Sequence, residues 1–213
     1  MSALLEKNMA NKVTLLRFPL LIAVIFLLYL GGVGGKLIAV PAILLLILMD
    51  TFDGIIARSR NETSLLGSVL DIAADRAVEI ILWVCFADLG LIPVAIPIIV
   101  ILRGVTVDAL RSLSVSSGKT PFGMMQSKWG RRLVVSRPMR TGYAVAKGVA
   151  FCGLALAHGL QTPLMGTPHE FLWRAVWIFS SAVSWIAVVL CLMRGIPVFI
   201  EARAFLHESK GGA

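Results

Sequence analysis

Six stretches of this chain, at about 13–30, 37–56, 66–88, 91–110, 141–160 and 172–194, are almost uninterrupted in apolar residues. Each is close to the roughly 20-residue length of a helix that crosses the hydrocarbon core of a bilayer. That repeated length constrains the fold more than any other feature. A backbone in hydrocarbon must satisfy its own N–H and C=O groups, so such runs become helices and not loops or open sheets. The 213-residue chain is 58% hydrophobic, with a mean hydropathy of +0.88, far above an ordinary soluble domain. The sequence therefore predicts an all-α integral membrane protein with six transmembrane helices. Residues 1–213 read as a single membrane domain: an interfacial N-terminal segment with a short helix over 1–12, a six-helix bundle over 13–195 and a cytoplasmic tail over 196–213. The third and fourth runs meet at Asp88 to Pro93 with little polar linker, and five spans plus a re-entrant piece is the alternative there.

Lys and Arg set the orientation. They collect at Lys7 and Lys12, at Arg58 and Arg60, from Arg111 to Arg140, and at Arg194, Arg203 and Lys210, whereas the opposite loops hold Lys36 and Arg174. This alternation fits an even number of crossings with both termini in the cytoplasm. The formal charge of +8 then faces anionic headgroups or a phosphorylated substrate on one side of a multi-pass cytoplasmic membrane protein. Nucleic acid is excluded as a partner, because no soluble domain is present to carry a groove reader. The N-terminus has no short apolar core followed by a small-residue cleavage site, so the first run reads as a retained helix. Cys85, Cys152 and Cys191 stand singly in apolar runs and read as packing residues.

Against this apolar background the stretch DTFDGIIARSRNETSLLGSVLDIAAD, residues 50–75, carries four aspartates. Asp50 and Asp53 fall at the cytoplasmic end of the second run, and Asp71 and Asp75 fall one to three turns into the third. Spacings of three and four put each pair on one helical face. An aspartate in mid-membrane costs roughly 2.5–3.5 kcal/mol, so four of them need compensation. Two divalent ions, Mg²⁺ or Mn²⁺, would provide it through hard oxygen ligands; zinc or copper would want nitrogen or sulfur ligands. The alternative is structural ion pairing with Arg58, Arg60 and Arg76. That alternative leaves the interspersed Gly54, Ala57 and Gly67 unexplained, since small residues admit the close approach of a backbone or ligand.

Asp50, Asp53, Gly54, Ala57, Arg58, Gly67, Asp71 and Asp75 match the signature D-x2-D-G-x2-A-R-x8-G-x3-D-x3-D at every fixed position and gap. In this the chain resembles the CDP-alcohol phosphatidyltransferase family, and the resemblance extends over roughly residues 10–195. It implies transfer of a phosphatidyl group from CDP-diacylglycerol to an alcohol with release of CMP. By position it implies Asp50, Asp53, Asp71 and Asp75 as ligands of two divalent cations and Asp75 also as general base. It implies contact with the donor by Asp50, Gly54, Ala57, Arg58, Gly67 and Asp71, and a homodimer in membrane lipid. Thr14 joins the donor-binding set through the opening Asn11, Thr14 and Arg17, similar to the N-x-x-T-x-x-R of phosphatidylglycerophosphate synthases.

The signature does not name the acceptor. Arg103 and Arg111, the loop with SKWGRR and the segment SRPMR supply clustered cations that suit a phosphate. The Arg103-x7-Arg111 spacing and Ser127-Lys128-Trp129-Gly130 resemble phosphatidylglycerophosphate synthases. Arg137 to Arg140 resembles the E-R-P-E-R of phosphatidylinositol phosphate synthases instead. Gly104 replaces the usual Glu of the first pattern. The expected acceptor site is Arg103, Arg111, Lys128, Arg137 and Arg140, the expected acceptor a small phosphorylated alcohol, with glycerol-3-phosphate ahead of inositol phosphate. For Lys119, Arg131 and Arg132 the cytoplasmic charge bias is explanation enough.

His158 and His169 read as solvated residues on the outer side, GGVGG at 31–35 as a flexible outer turn, and Trp173 as an interfacial anchor. Glu79 reads as a neighbour of the metal site or a partner of Arg76, and Asp108 as the partner of Arg111. A cation carrier and an inactive scaffold are the rival classes. A carrier would show midplane polar residues and repeat symmetry, neither of which the sequence displays, and an inactive scaffold would not retain every signature acid.

Overall fold

The computed structural model describes residues 9–59, 65–116 and 136–211. Among these residues there are six helices and no strand: α1 (Met9–Tyr29), α2 (Val33–Ser59), α3 (Leu65–Asp88), α4 (Ala95–Ser116), α5 (Arg137–Leu164) and α6 (Glu170–Gly211). Residues 1–8, most of the expected interfacial segment, lie outside the described residues, and Met9 to Lys12 already belong to α1. Two helical stretches, Pro138–Leu164 and Glu170–Ile200, are long and apolar enough to cross a membrane, and Thr14–Tyr29 and Val33–Met49 are shorter apolar helical stretches.

α1 is apolar on both its faces. Thr14, Arg17, Leu21, Val24 and Leu28 are buried at alternating spacings of three and four, one continuous inward stripe. The opposite face is equally apolar, with Leu16, Ile22 and Phe26 exposed. A helix greasy on both faces has no water-stable side, and a lipid surroundings is the solvent that suits it.

The described residues fall into two compact units, Met1–Ile92 with Gly148–Ser181 and Pro93–Lys147 with Ala182–Ala213. In the first, α1 packs against both α2 and α3. The α1–α2 turn is tight. A Cβ at Gly31 would meet the Leu27 carbonyl oxygen at 2.5 Å and Gly35 Cα at 2.9 Å. Gly34 and Gly35, expected in a flexible turn, belong to α2 instead, so only three residues separate the helices. α1 and α3 run in the same direction, since Arg17 reaches Asp71 and Tyr29 near the other end donates to Asp88 at 2.7 Å. The edge-to-face pair Trp83 and Phe151, with ring centroids 4.6 Å apart, and Phe86 fill the interior between α3 and α5.

The short boundary after the third run is closed by a glycine cap. Gly90 has φ of 70°; its N–H bonds to the Ala87 carbonyl and that of Leu91 to the Phe86 carbonyl. This is the Schellman pattern that ends a helix without a polar linker. Trp177 secures it by donating from Nε1 to the Leu91 carbonyl at 2.8 Å.

The second unit is smaller. Val107 and Leu110 of α4 pack with Val198 of α6, and Gly195 lies against the Arg103 side chain.

Candidate active site

All eight signature residues stand on helical backbone. Asp50 and Asp53 lie nine and six residues before the end of α2, and Asp71 and Asp75 six and ten residues after the start of α3. At about 1.5 Å per residue, Asp53 and Asp71 are each roughly 9 Å from the ends that the connecting segment joins. Gly54, Ala57 and Arg58 follow on the last turns of α2, and Gly67 is on the first turn of α3. The side chains of Asp50, Asp53, Ala57 and Arg58 and the surroundings of Gly54 and Gly67 lie outside the described residues.

Asp71 and Asp75 are half-buried, one turn apart on α3. Asp71 is held from within. Arg17 of α1, only 1% exposed, donates from Nη2 to Asp71 Oδ1 at 2.5 Å, while the Asp71 side chain is 45% exposed. The sequence offered Arg58, Arg60 and Arg76 as partners only under the alternative of structural ion pairing, and the Arg17 pair spans 54 residues between helices that are not adjacent in the chain. Thr14, one turn before Arg17, is buried on the same face. Arg76 turns to Glu79 at 3.9 Å, with the Glu79 carboxylate buried.

Among the described residues no three His, Cys, Asp or Glu side chains gather as metal ligands, and the two α2 carboxylates fall outside that set. The two that are described fit a hard divalent ion. They are partly open oxygen donors at helical spacing, a donor type that suits Mg²⁺ or Mn²⁺.

The second unit carries a separate cluster of cations. Arg103 lies on α4, 7% exposed, and its buried Nε has no hydrogen-bond partner among the described residues. Its side chain runs along Gly195, where a Cβ would come within 2.9 Å of Arg103 Cγ and 3.2 Å of Nε. The next residue toward the N-terminus, Arg194, is in electrostatic reach of Arg103 and Arg140, and its guanidinium carbon lies 5.7 Å from the centre of the Tyr143 ring. Lys147 Nζ lies 5.5 Å from the centre of the same ring, so two cations lie close to one aromatic ring. Arg194 was legible only as a cytoplasmic charge; the Gly195 beside it, which admits Arg103, was the available signal. Arg111 and Arg137 stand on α4 and α5, but their side chains lie outside the described residues, as does Lys128 altogether. The expected Asp108–Arg111 pair therefore also lies outside them.

His158 departs from expectation. It is buried, with Nε2 3.1 Å from the Leu28 carbonyl oxygen, because the neighbouring α5 residues Leu154, Ala155 and Ala157 are themselves packed inward. His169 is exposed as expected, and the described cysteines are free thiols.

A comparison with curated proteins finds no match. The family described as CDP-alcohol phosphatidyltransferase matches residues 7–193. That match runs across all six described helices and takes in the whole aspartate stretch, so this chain belongs to the CDP-alcohol phosphatidyltransferase family.

Proposed function

We propose that this protein transfers the phosphatidyl group of CDP-diacylglycerol to the hydroxyl of a small phosphorylated alcohol, releasing CMP, with glycerol-3-phosphate ahead of inositol phosphate as acceptor. Members of the family are membrane-bound, transfer phosphatidyl groups from a CDP-linked donor and typically depend on divalent cations. The observation that carries the reading is the placement of the signature acids on α2 and α3 at matched distances from their joined ends. A donor whose acyl chains stay in lipid and whose nucleotide stays in water needs its site at that depth. The six apolar helices are read as six spans, both termini and the site on the cytoplasmic side, and the working form as a homodimer.

Asp50, Asp53, Asp71 and Asp75 would hold two divalent ions, Mg²⁺ or Mn²⁺. When bound, such ions neutralise the donor diphosphate and the charge that builds on departing CMP. Asp75 takes the proton from the acceptor hydroxyl. The hydroxyl oxygen forms a bond to the phosphorus that bears diacylglycerol, and the bond from that phosphorus to CMP breaks, CMP leaving with the electron pair. Gly54, Ala57 and Gly67 leave space for the donor, and Arg58 and Thr14 contact it. Arg103, Arg194 and Arg140 supply guanidinium groups for an acceptor phosphate, joined by Arg111, Lys128 and Arg137. The buried Arg103 Nε without a partner supports an anion there, because a buried donor left unmatched is costly. The arginine-rich start of α5 favours inositol phosphate as the second acceptor.

The test is a panel assay with purified protein, labelled CDP-diacylglycerol, Mg²⁺ or Mn²⁺, and glycerol-3-phosphate, inositol phosphate, free inositol or serine. Turnover is expected with the phosphorylated acceptors and should stop on chelation. Turnover with serine alone removes the phosphate argument. CMP release with none of the four supports a cation carrier or an inactive scaffold.

A further inference from the structure

Gly195 is the residue of α6 that lies against Arg103, and it belongs neither to the aspartate signature nor to the set of cations. We propose that Gly195 is a positioning residue for the acceptor site: its missing side chain is the notch that seats the Arg103 stem beside Arg194, so that both guanidinium groups serve one acceptor phosphate. The proposal deepens the reading of Arg103 and Arg194 as ligands of that phosphate and rests on it.

Three observations carry it. First, the approach is close and directed at one side chain. A Cβ on Gly195 would stand 2.9 Å from Arg103 Cγ, 3.2 Å from Nε and 3.6 Å from Cδ, the three nearest atoms beyond its own helix. Second, the notch holds a cation. Arg103 is 7% exposed, and its buried Nε has no hydrogen-bond partner among the described residues. A glycine that serves close helix packing alone is met by apolar side chain or backbone, as Gly159 is met by Leu37. Third, the residue next to Gly195 is a second cation in the same condition. Arg194 is in electrostatic reach of Arg103, and its Nε is also buried without a hydrogen-bond partner among the described residues. Unmatched buried donors are costly, and like charges near each other repel. A phosphate ester, with a charge of about −1.5 to −2 and three strong acceptor oxygens, relieves both costs at once.

Gly195→Ala tests the position of Arg103 without removing its charge. Nothing outside the helix but Arg103 would lie nearer to the added methyl than 3.6 Å, and the Arg103 stem is free to turn. The variant should therefore fold, with the guanidinium displaced. Loss of that guanidinium should raise KM for the acceptor about 10–100-fold, and its displacement should bring a rise of about tenfold. The competing explanation is that Gly195, two residues before Pro197 in α6, loosens the helix. A loosened helix would alter kcat or stability, and would do so whether or not Arg103 is present.

The experiment measures steady-state transfer by the purified full chain with labelled CDP-diacylglycerol and Mg²⁺ or Mn²⁺, varying glycerol-3-phosphate or inositol phosphate, whichever turns over. The proteins are wild type, Gly195→Ala, Arg103→Ala and the Arg103→Ala/Gly195→Ala double variant. Gly195→Ala should raise acceptor KM about tenfold, with kcat and KM for CDP-diacylglycerol within about twofold of wild type. In the Arg103→Ala background it should add nothing, because the atoms it would strike are gone. A wild-type acceptor KM in Gly195→Ala overturns the proposal, as does a loss confined to kcat or an equal rise in KM with and without Arg103. A Gly195→Ala chain that does not fold overturns it too, since the methyl would then meet more than a movable side chain. Should Arg103→Ala not fold, the division between KM and kcat in Gly195→Ala decides alone. Arg103→Ala with wild-type acceptor KM, or a wild type that uses only alcohols without phosphate, overturns the acceptor-site reading itself and the role of Gly195 with it.

Discussion

His158 on α5 caps the end of α1: its Nε2 lies 3.1 Å from the backbone carbonyl oxygen of Leu28, 130 residues away in the chain. The last four carbonyls of a helix have no partner within it, and Leu28 is the penultimate residue of α1. With a carbonyl as partner, Nε2 must carry the hydrogen and donate it. The ring is 8% exposed, so the bond forms away from solvent and ties α5 to the helix that backs Asp71.

Replacing His158 with Ala should therefore lower stability by about 2–4 kcal/mol, the sum of a lost hydrogen bond and an unfilled space. Thermal unfolding in detergent measures this. Transfer rate per folded molecule should stay near wild type, since His158 stands at the end of α1 remote from Arg17. A large fall in rate with unchanged stability would contradict a capping role.

Asp75→Asn keeps size and removes the base. Loss of a positioned general base typically lowers a rate about 10²–10⁴-fold, and the expected effect on transfer lies at or beyond that range because the same carboxylate is read as a metal ligand. Lys119→Ala should change turnover little. Initial rates of CMP release for the two variants check the contrast, and similar losses would show that the roles are misassigned.

Gly153 of α5 lies against Ser180 of α6. A Cβ there would collide with the Ser180 hydroxyl and sit 3.1 Å from its Cβ, and the hydroxyl is held by donating to the Val176 carbonyl at 2.7 Å. Gly153→Ala should destabilise by about 1–3 kcal/mol through overpacking. Ser180→Ala should restore part of that loss in the double variant, leaving the milder contact with Cβ. Unfolding midpoints of the four proteins in a mutant cycle measure the coupling; simple additivity would mean that the two helices have moved apart.

Arg194→Ala should raise KM for a phosphorylated acceptor about 10–100-fold, corresponding to one charge-assisted hydrogen bond of roughly 1.5–3 kcal/mol, with KM for CDP-diacylglycerol unchanged. Steady-state kinetics with each substrate varied in turn separates the two. An equal rise in both constants would point to a general loss of folded protein.

Helix positions were legible because hydrocarbon imposes a length, and an apolar run displays it directly. Helix ends were less so. α5 starts at Arg137 and α6 continues to Gly211, well outside their apolar runs, since hydropathy reports contact with lipid and not backbone hydrogen bonding. Gly34 and Gly35 were read as turn because glycine permits one, yet within α2 nothing requires them to leave the helix. Asp71 was legible as an acid one turn from Asp75 on α3, from their spacing of four. Its partner was not: Arg17 meets Asp71 only through packing between α1 and α3, which no local pattern encodes. His158 was misread for a related reason. A lone histidine in an outer-side segment looks solvated until its neighbours Ala157 and Gly159 are recognised as the small residues that let other helices close over it; a Cβ at Gly159 would come within 2.8 Å of Leu37.

The bare Cα of Gly31, with no space for a methyl group beside Leu27 and Gly35, bears on biogenesis as well as shape. It lets the first two helices close on each other as a hairpin, a wall carrying Arg17 against which the third helix packs. A bulkier residue at this position should accordingly show itself as poor membrane integration of newly made chains, before any question of turnover arises.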